Sequence, residues 1–142
     1  MSASPETLRD AVARRAGHRC EYCQLPAQLQ VGGFELDHVV PRSRGGRMVM
    51  ANMALTCPHC NARKWAHIDG ADPASGQRTA LFNPRTQQWE EHFQWSKQQP
   101  FEIVGISIHG RATVAQLQMN HPDLISIRRL LAAVGISWKA KA

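Results

Sequence analysis

The sequence predicts an α+β fold built around a four-cysteine metal site, and three observations predict it. All four cysteines fall in two Cys-x-x-Cys pairs, Cys20/Cys23 and Cys57/Cys60, with 33 residues between them. Inside that interval Phe34, Leu36 and His38 alternate with Glu35, Asp37 and Val39, the period-two pattern of a strand. Behind the second pair, Pro58 opens a helical stretch, and further helical and strand patterns run to about residue 135.

Taken in order, Ser4-Pro5-Glu6 predicts a helix start with serine as N-cap. Leu8, Val12 and Ala16 form its apolar stripe, and Gly17 ends it. Cys20 to Cys23 is the first metal-binding turn, Gly32-Gly33 a bend, and 34–39 the strand. Pro41 to Arg47 is a basic loop; 48–56 is a connector that can hold the returning strand. A helix over 58–68 places Asn61, Lys64 and Ile68 on one face. Asp69 to Gly76 reads as a turn region, and Asn83-Pro84 as another. Trp89, His92 and Phe93 recur at helical spacing, 101–106 is a strand, and 111–119 and 122–134 are helices, the last capped by Asn120 or His121. With 142 residues the chain suits one domain, a motif core at 17–67 and an extension at 70–142.

No apolar run is long enough to cross a membrane, and the first fifteen residues carry too many charges for a secretion signal. A cytoplasmic location is therefore expected. In that compartment the four cysteines read as a zinc site rather than two disulfides. The wide interval between the pairs means that the site clamps an inserted segment, here Asp37-His38. With aromatics at only 6%, a mainly aliphatic core is expected. Seventeen Lys and Arg against eleven Asp and Glu give +6 and a pI near 9.7. Such a surface attracts polyanions, and the bases gather near the motif: Arg42, Arg44, Arg47, Arg63 and Lys64.

The residue types within the insert fit phosphodiester chemistry. An imidazole such as His38 titrates near working pH and can take a proton from water. Asp37 offers a hard oxygen donor suited to Mg²⁺ or Mn²⁺, and a helix nearby can bring the Asn61 amide oxygen to the same ion. Lys64, one turn further, is expected near phosphate.

Cys20-x-x-Cys23, Leu36-Asp37-His38-Val39-Val40-Pro41, Asn52 and Cys57-x-x-Cys60-Asn61-x-x-Lys64 resemble the HNH endonucleases, the ββα-metal or His-Me finger family. Asn52 follows His38 by 14 positions and Asn61 follows Asn52 by 9, a spacing similar to HNH domains with asparagine as third signature residue. The resemblance implies a ββα-metal core stapled by structural zinc, with a C-terminal α/β extension. It implies that His38 is the general base and that Asn52 orients its ring. Asp37 and Asn61 would hold one divalent ion, and the products would be 5′-phosphate and 3′-hydroxyl ends. DNA is the implied substrate, with RNA left open, and Arg42, Arg44, Arg63 and Lys64 are the implied nucleic-acid contacts. Residues 81–85, 89–95 and 110–113 also resemble the tail of a bacterial stand-alone subfamily. The family often carries glycine after the helix lysine; Trp65 stands there and is expected to pack. The competing reading is a non-catalytic, zinc-containing nucleic-acid-binding protein with a degenerate HNH fold.

Overall fold

A computed structural model describes residues 5–140. The first helix, α1 (Leu8–Arg15), starts later than the sequence predicts. Thr7, not Ser4, is its N-cap, accepting a hydrogen bond from the Asp10 amide at 3.0 Å. Ser4 lies outside the described residues. Val12 is fully buried, and Gly17 leaves the helix with φ +64°, a conformation that glycine adopts without strain.

The next segment builds the clamp. A tight hairpin carries Cys20 and Cys23: the Cys20 amide donates to Leu25 O at 2.9 Å, and the Gln24 amide to Cys20 O at 2.9 Å. Strand β1 (Glu35–His38) then pairs antiparallel with β2 (Met53–Thr56), in a register setting Glu35 opposite Thr56 and His38 opposite Met53. All four β2 residues are buried, because α1 covers this strand and α2 contacts both strands. Helix α2 (Pro58–Lys64) is capped by a cysteine: Cys57 Sγ accepts from the Cys60 amide at 3.4 Å, with Pro58 in the first turn. It ends at Lys64, four residues before the predicted limit of 68, with Trp65 as its C-cap. Ile68 therefore leaves the face shared by Asn61 and Lys64 and accepts from the Leu81 amide.

The remaining chain holds more strand than its sequence shows. The 69–76 region is not only a turn: β3 (Asp69–Ala71) and β4 (Arg78–Ala80) form a hairpin around it. The Trp89–Phe93 spacing does not make a helix. Trp89–Glu91 is a single 3₁₀ turn, followed by β5 (Phe93–Trp95), which pairs with β6 (Ile103–Gly105). Three residues of alternating Phe93-Gln94-Trp95 with a partner strand outweigh a helical period that only two aromatics mark. Helix α3 (Ile108–Gln116) begins three residues before the predicted start, because Ser107 caps it. Helix α4 (Pro122–Ala133) is capped by His121, whose Nδ1 accepts from the Asp123 amide at 3.0 Å.

One buried cluster runs from Val12 through the four cysteines to Phe82, Ile103, Leu117, Leu124 and Leu131. It is less aliphatic than the composition implies. Tyr22, Phe82, Phe93, Trp89, Trp95, Trp138 and Phe101 form one continuous series, with neighbouring ring centroids 5.1 to 6.4 Å apart. Arg128 of α4 is fully buried beside it, donating to Phe101 O at 2.8 Å and Met119 O at 2.7 Å, with its guanidinium 5.3 Å from the centre of the Trp95 ring. Burial lowers its pKa, and the four cysteine sulfurs oppose that shift. Among the described residues no helix is long and apolar enough to cross a membrane.

Candidate active site

The hairpin and the N-terminus of α2 bring the two cysteine pairs together. All four are buried, and their sulfurs lie within 4.8 Å of one another, with Cys23 and Cys57 at 3.6 Å. Zinc–sulfur bonds of about 2.3 Å in a tetrahedron put sulfurs roughly 3.8 Å apart. The cluster therefore fits a zinc ion in both size and donor set. The thiols also interact strongly among themselves. Hydrogen bonds from its three neighbours hold Cys57 far below the ordinary thiol range, while Cys23 and Cys60 are pushed up.

Strand β1 sends Asp37 and His38 in different directions, as its period requires. Asp37 is 4% exposed and His38 is half-buried. Both nevertheless border one pocket of about 220 Å³, together with Asn61 of α2, Arg42 and Trp65. Asp37, His38 and Asn61 are thus gathered at one place from β1 and α2. Arg42 Nε donates to His38 Nε2 at 3.3 Å, so that nitrogen is an acceptor in this arrangement.

Asn52 does not reach the imidazole. Its Oδ1 accepts from the Val40 amide at 2.9 Å, and its Nδ2 donates to Val40 O at 3.0 Å and Arg47 O at 2.9 Å. The amide is spent on bracing the 39–52 loop, so any effect on His38 passes through the backbone. Gly46 completes the brace: a Cβ there would meet Val40 O at 1.6 Å and Asn52 Nδ2 at 2.9 Å. This rigid loop carries Arg42, Arg44 and Arg47, all exposed.

Lys64 is also placed differently from expectation. It is 1% exposed, with Nζ 3.0 Å from Asp37 Oδ2 and donating to His38 O and Val39 O at 3.2 Å each. In this position its ammonium is held by Asp37 and two backbone carbonyls rather than presented at the surface. Arg63 is half-buried and donates to His59 O at 3.2 Å, so it too is drawn from the surface. Trp65, expected to pack, is 75% exposed.

Tyr22 was not foreseen. Fully buried between the first two cysteines, its hydroxyl donates to Asp37 Oδ2 at 3.2 Å. Burial and the adjacent Asp37 charge raise its pKa well above the ordinary phenol range, so it stays a donor. Its only sequence signal is its position inside the Cys-x-x-Cys turn. For Asp37 itself, burial raises the carboxyl pKa, and Lys64 and then Tyr22 pull it back.

A carboxylate has about four acceptor positions. Lys64 contacts both Asp37 oxygens and Tyr22 contacts one, leaving room for one further ligand bond. Asn61 lines the same pocket, and its side-chain carbonyl with the Asp37 carboxylate makes a set of hard oxygens of the kind Mg²⁺ and Mn²⁺ take. The residues fit such an ion.

Residues 20–66 match the family model described as HNH endonuclease. The matched segment holds both cysteine pairs, the β1–β2 hairpin and α2, which is the ββα arrangement stapled by four cysteines. The family is of the nuclease type, metal-dependent and acting on nucleic acid. No curated protein and no solved structure matches the chain.

Proposed function

We propose that this chain is a metal-dependent endonuclease that hydrolyses DNA phosphodiester bonds in the pocket between β1 and α2. The observation that carries this reading is the gathering of Asp37, His38 and Asn61 on one pocket beside a braced loop of exposed arginines. His38 is the general base. Its Nε2 is already an acceptor, so it can take the proton from a water whose oxygen attacks phosphorus. The bond to the 3′ oxygen then breaks, that oxygen takes a proton from solvent, and the ends left are 5′-phosphate and 3′-hydroxyl. Arg42 holds the acceptor nitrogen while the site is empty of substrate, and pairs with the phosphate when DNA arrives. Asp37 and Asn61 would hold a divalent ion, which when bound would supply stabilisation of charge on the phosphate and on the departing oxygen. Tyr22 and Lys64 fix the Asp37 carboxylate in place. Asn52 and Gly46 keep the loop rigid, and zinc on the four cysteines ties the hairpin to α2.

One observation favours the alternative, a nucleic-acid-binding protein without catalysis. Asp37 already has a cationic partner in Lys64, which competes with a metal ion for the carboxylate. The requirement for the ion separates the two readings. With plasmid DNA in Mg²⁺ or Mn²⁺, the wild type nicks, Asn61→Ala needs a higher ion concentration, and Asp37→Asn is nearly inactive. Cleavage unaffected by chelation of Mg²⁺, or identical in Asn61→Ala, contradicts the ligand assignment. Binding of DNA with no cleavage in either ion supports the alternative.

A further inference from the structure

Trp65 stands where its residue type has least reason to be. Of the nine aromatic side chains, seven belong to the packed ring series, each buried or half-buried, and Phe34 is in the core. Trp65 alone is outside, 75% exposed. Its backbone is at φ +44°, ψ −119°, in a turn that the His67 amide closes on Lys64 O at 2.8 Å. These angles are those of the first central position of a type II′ turn, which glycine takes freely and an L side chain takes under strain. A glycine at this position would be explained by the turn; a tryptophan is not. The fold gains little packing from it and bears backbone strain for it.

Trp65 is one of the residues lining the pocket that holds Asp37, His38 and Asn61, and the exposed His67 ring lies edge-on to its indole at 6.2 Å. Arg42, Arg44 and Arg47 stand exposed on the neighbouring loop, and guanidinium groups pair readily with phosphate. On a nucleic acid, a flat apolar ring flanked by cations finds one complementary surface, the face of a base. Inside an intact duplex each base face is covered by its neighbours. An unpaired base leaves a face free.

We infer that Trp65 is a stacking platform for an unpaired nucleobase beside the phosphate at His38, which makes single-stranded or locally unpaired DNA the preferred substrate. The inference rests on the nuclease reading for its position at the scissile bond, though stacking itself can be measured without cleavage. In the His38→Ala protein, fluorescence anisotropy gives affinities for a labelled oligothymidylate and for a labelled blunt duplex. Trp65→Ala and Trp65→Gly are expected to weaken oligothymidylate binding about tenfold or more, and Trp65→Phe much less. Duplex binding should change by no more than about twofold in all three. Trp65→Gly also relieves the turn, so its melting temperature should equal or exceed that of the parent, which separates lost stacking from lost fold.

Oligothymidylate binding that is unchanged in Trp65→Gly overturns the inference. Equal weakening on oligothymidylate and duplex overturns it as well, since that marks a general surface contact. If protein with His38 intact cuts no DNA while the Trp65 differences persist, the stacking platform stands and the cleavage reading falls.

Discussion

Lys64 places an ammonium 3.0 Å from Asp37, with both side chains almost fully enclosed. Removing one partner of such a pair leaves the other buried and unpaired, which costs roughly 3–5 kcal/mol. Lys64→Met should therefore lower the urea midpoint sharply, and Lys64→Met with Asp37→Asn should recover part of the loss. Wild-type stability in Lys64→Met with a weaker grip on DNA would return the lysine to the phosphate role expected from its place in the motif. The direction of this side chain was not legible. Asn61 and Lys64 share a face only in the sense of helix spacing, and nothing local says that one points to a pocket and the other inward. The Asp37-His38 split was legible, because a strand alternates whatever surrounds it. Tyr22 had no comparable rule, since a tyrosine in a metal-binding turn is as consistent with packing as with a carboxylate partner.

The elements read from strong local signals formed, and those read from weak ones shifted. The β1 alternation, the Pro58 start of α2 and the Pro122 start of α4 each rest on a residue whose backbone preference is steep. By contrast, α2 stops at Trp65 because of a turn whose usual marker, glycine, is missing. The β3–β4 hairpin is similarly hidden: its strands are three residues each, and its turn is organised by a side chain. That side chain is Asp72, whose carboxylate is fully enclosed. It accepts from Arg111 Nε at 2.9 Å and Nη2 at 3.0 Å, Ser75 Oγ at 2.7 Å and the Ala74 amide at 3.1 Å. The Arg111 bonds first, then Ser75, hold its carboxyl well below the usual range. A carboxyl depressed in the folded state contributes stability that is whole above its unfolded value, about 3.9, and is lost as pH falls below it. Urea midpoints should therefore drop below about pH 4, and Arg111→Met should flatten that part of the profile. An identical acid profile in Arg111→Met would show that Asp72 does not tie the hairpin to α3.

At the scale of the whole molecule, the cysteine cluster and the C-terminal helices share one core, so the metal site and the extension support each other. Structural zinc contributes on the order of 10–16 kcal/mol of apparent binding free energy in small domains, enough to decide whether a chain folds. The buried Arg128 guanidinium lies in the field of the four sulfurs, which offsets part of its desolvation. Four cysteines in two pairs made the centre of the fold readable. The extension was not readable to the same degree, because its ring series joins residues as far apart as Tyr22 and Trp138, and no local pattern records such contacts. What the fold delivers is a fixed pocket with an imidazole acceptor at its edge and arginines beside it.

The most direct test of that arrangement is the first-order rate of supercoiled-plasmid nicking in Mn²⁺, for wild type and His38→Ala at equal zinc content. Loss of a general base predicts a fall of about 10²–10⁴-fold in His38→Ala, with zinc and melting temperature unchanged. Equal rates in the two proteins would contradict the assignment of His38, and with it the claim that this pocket is where DNA is cut.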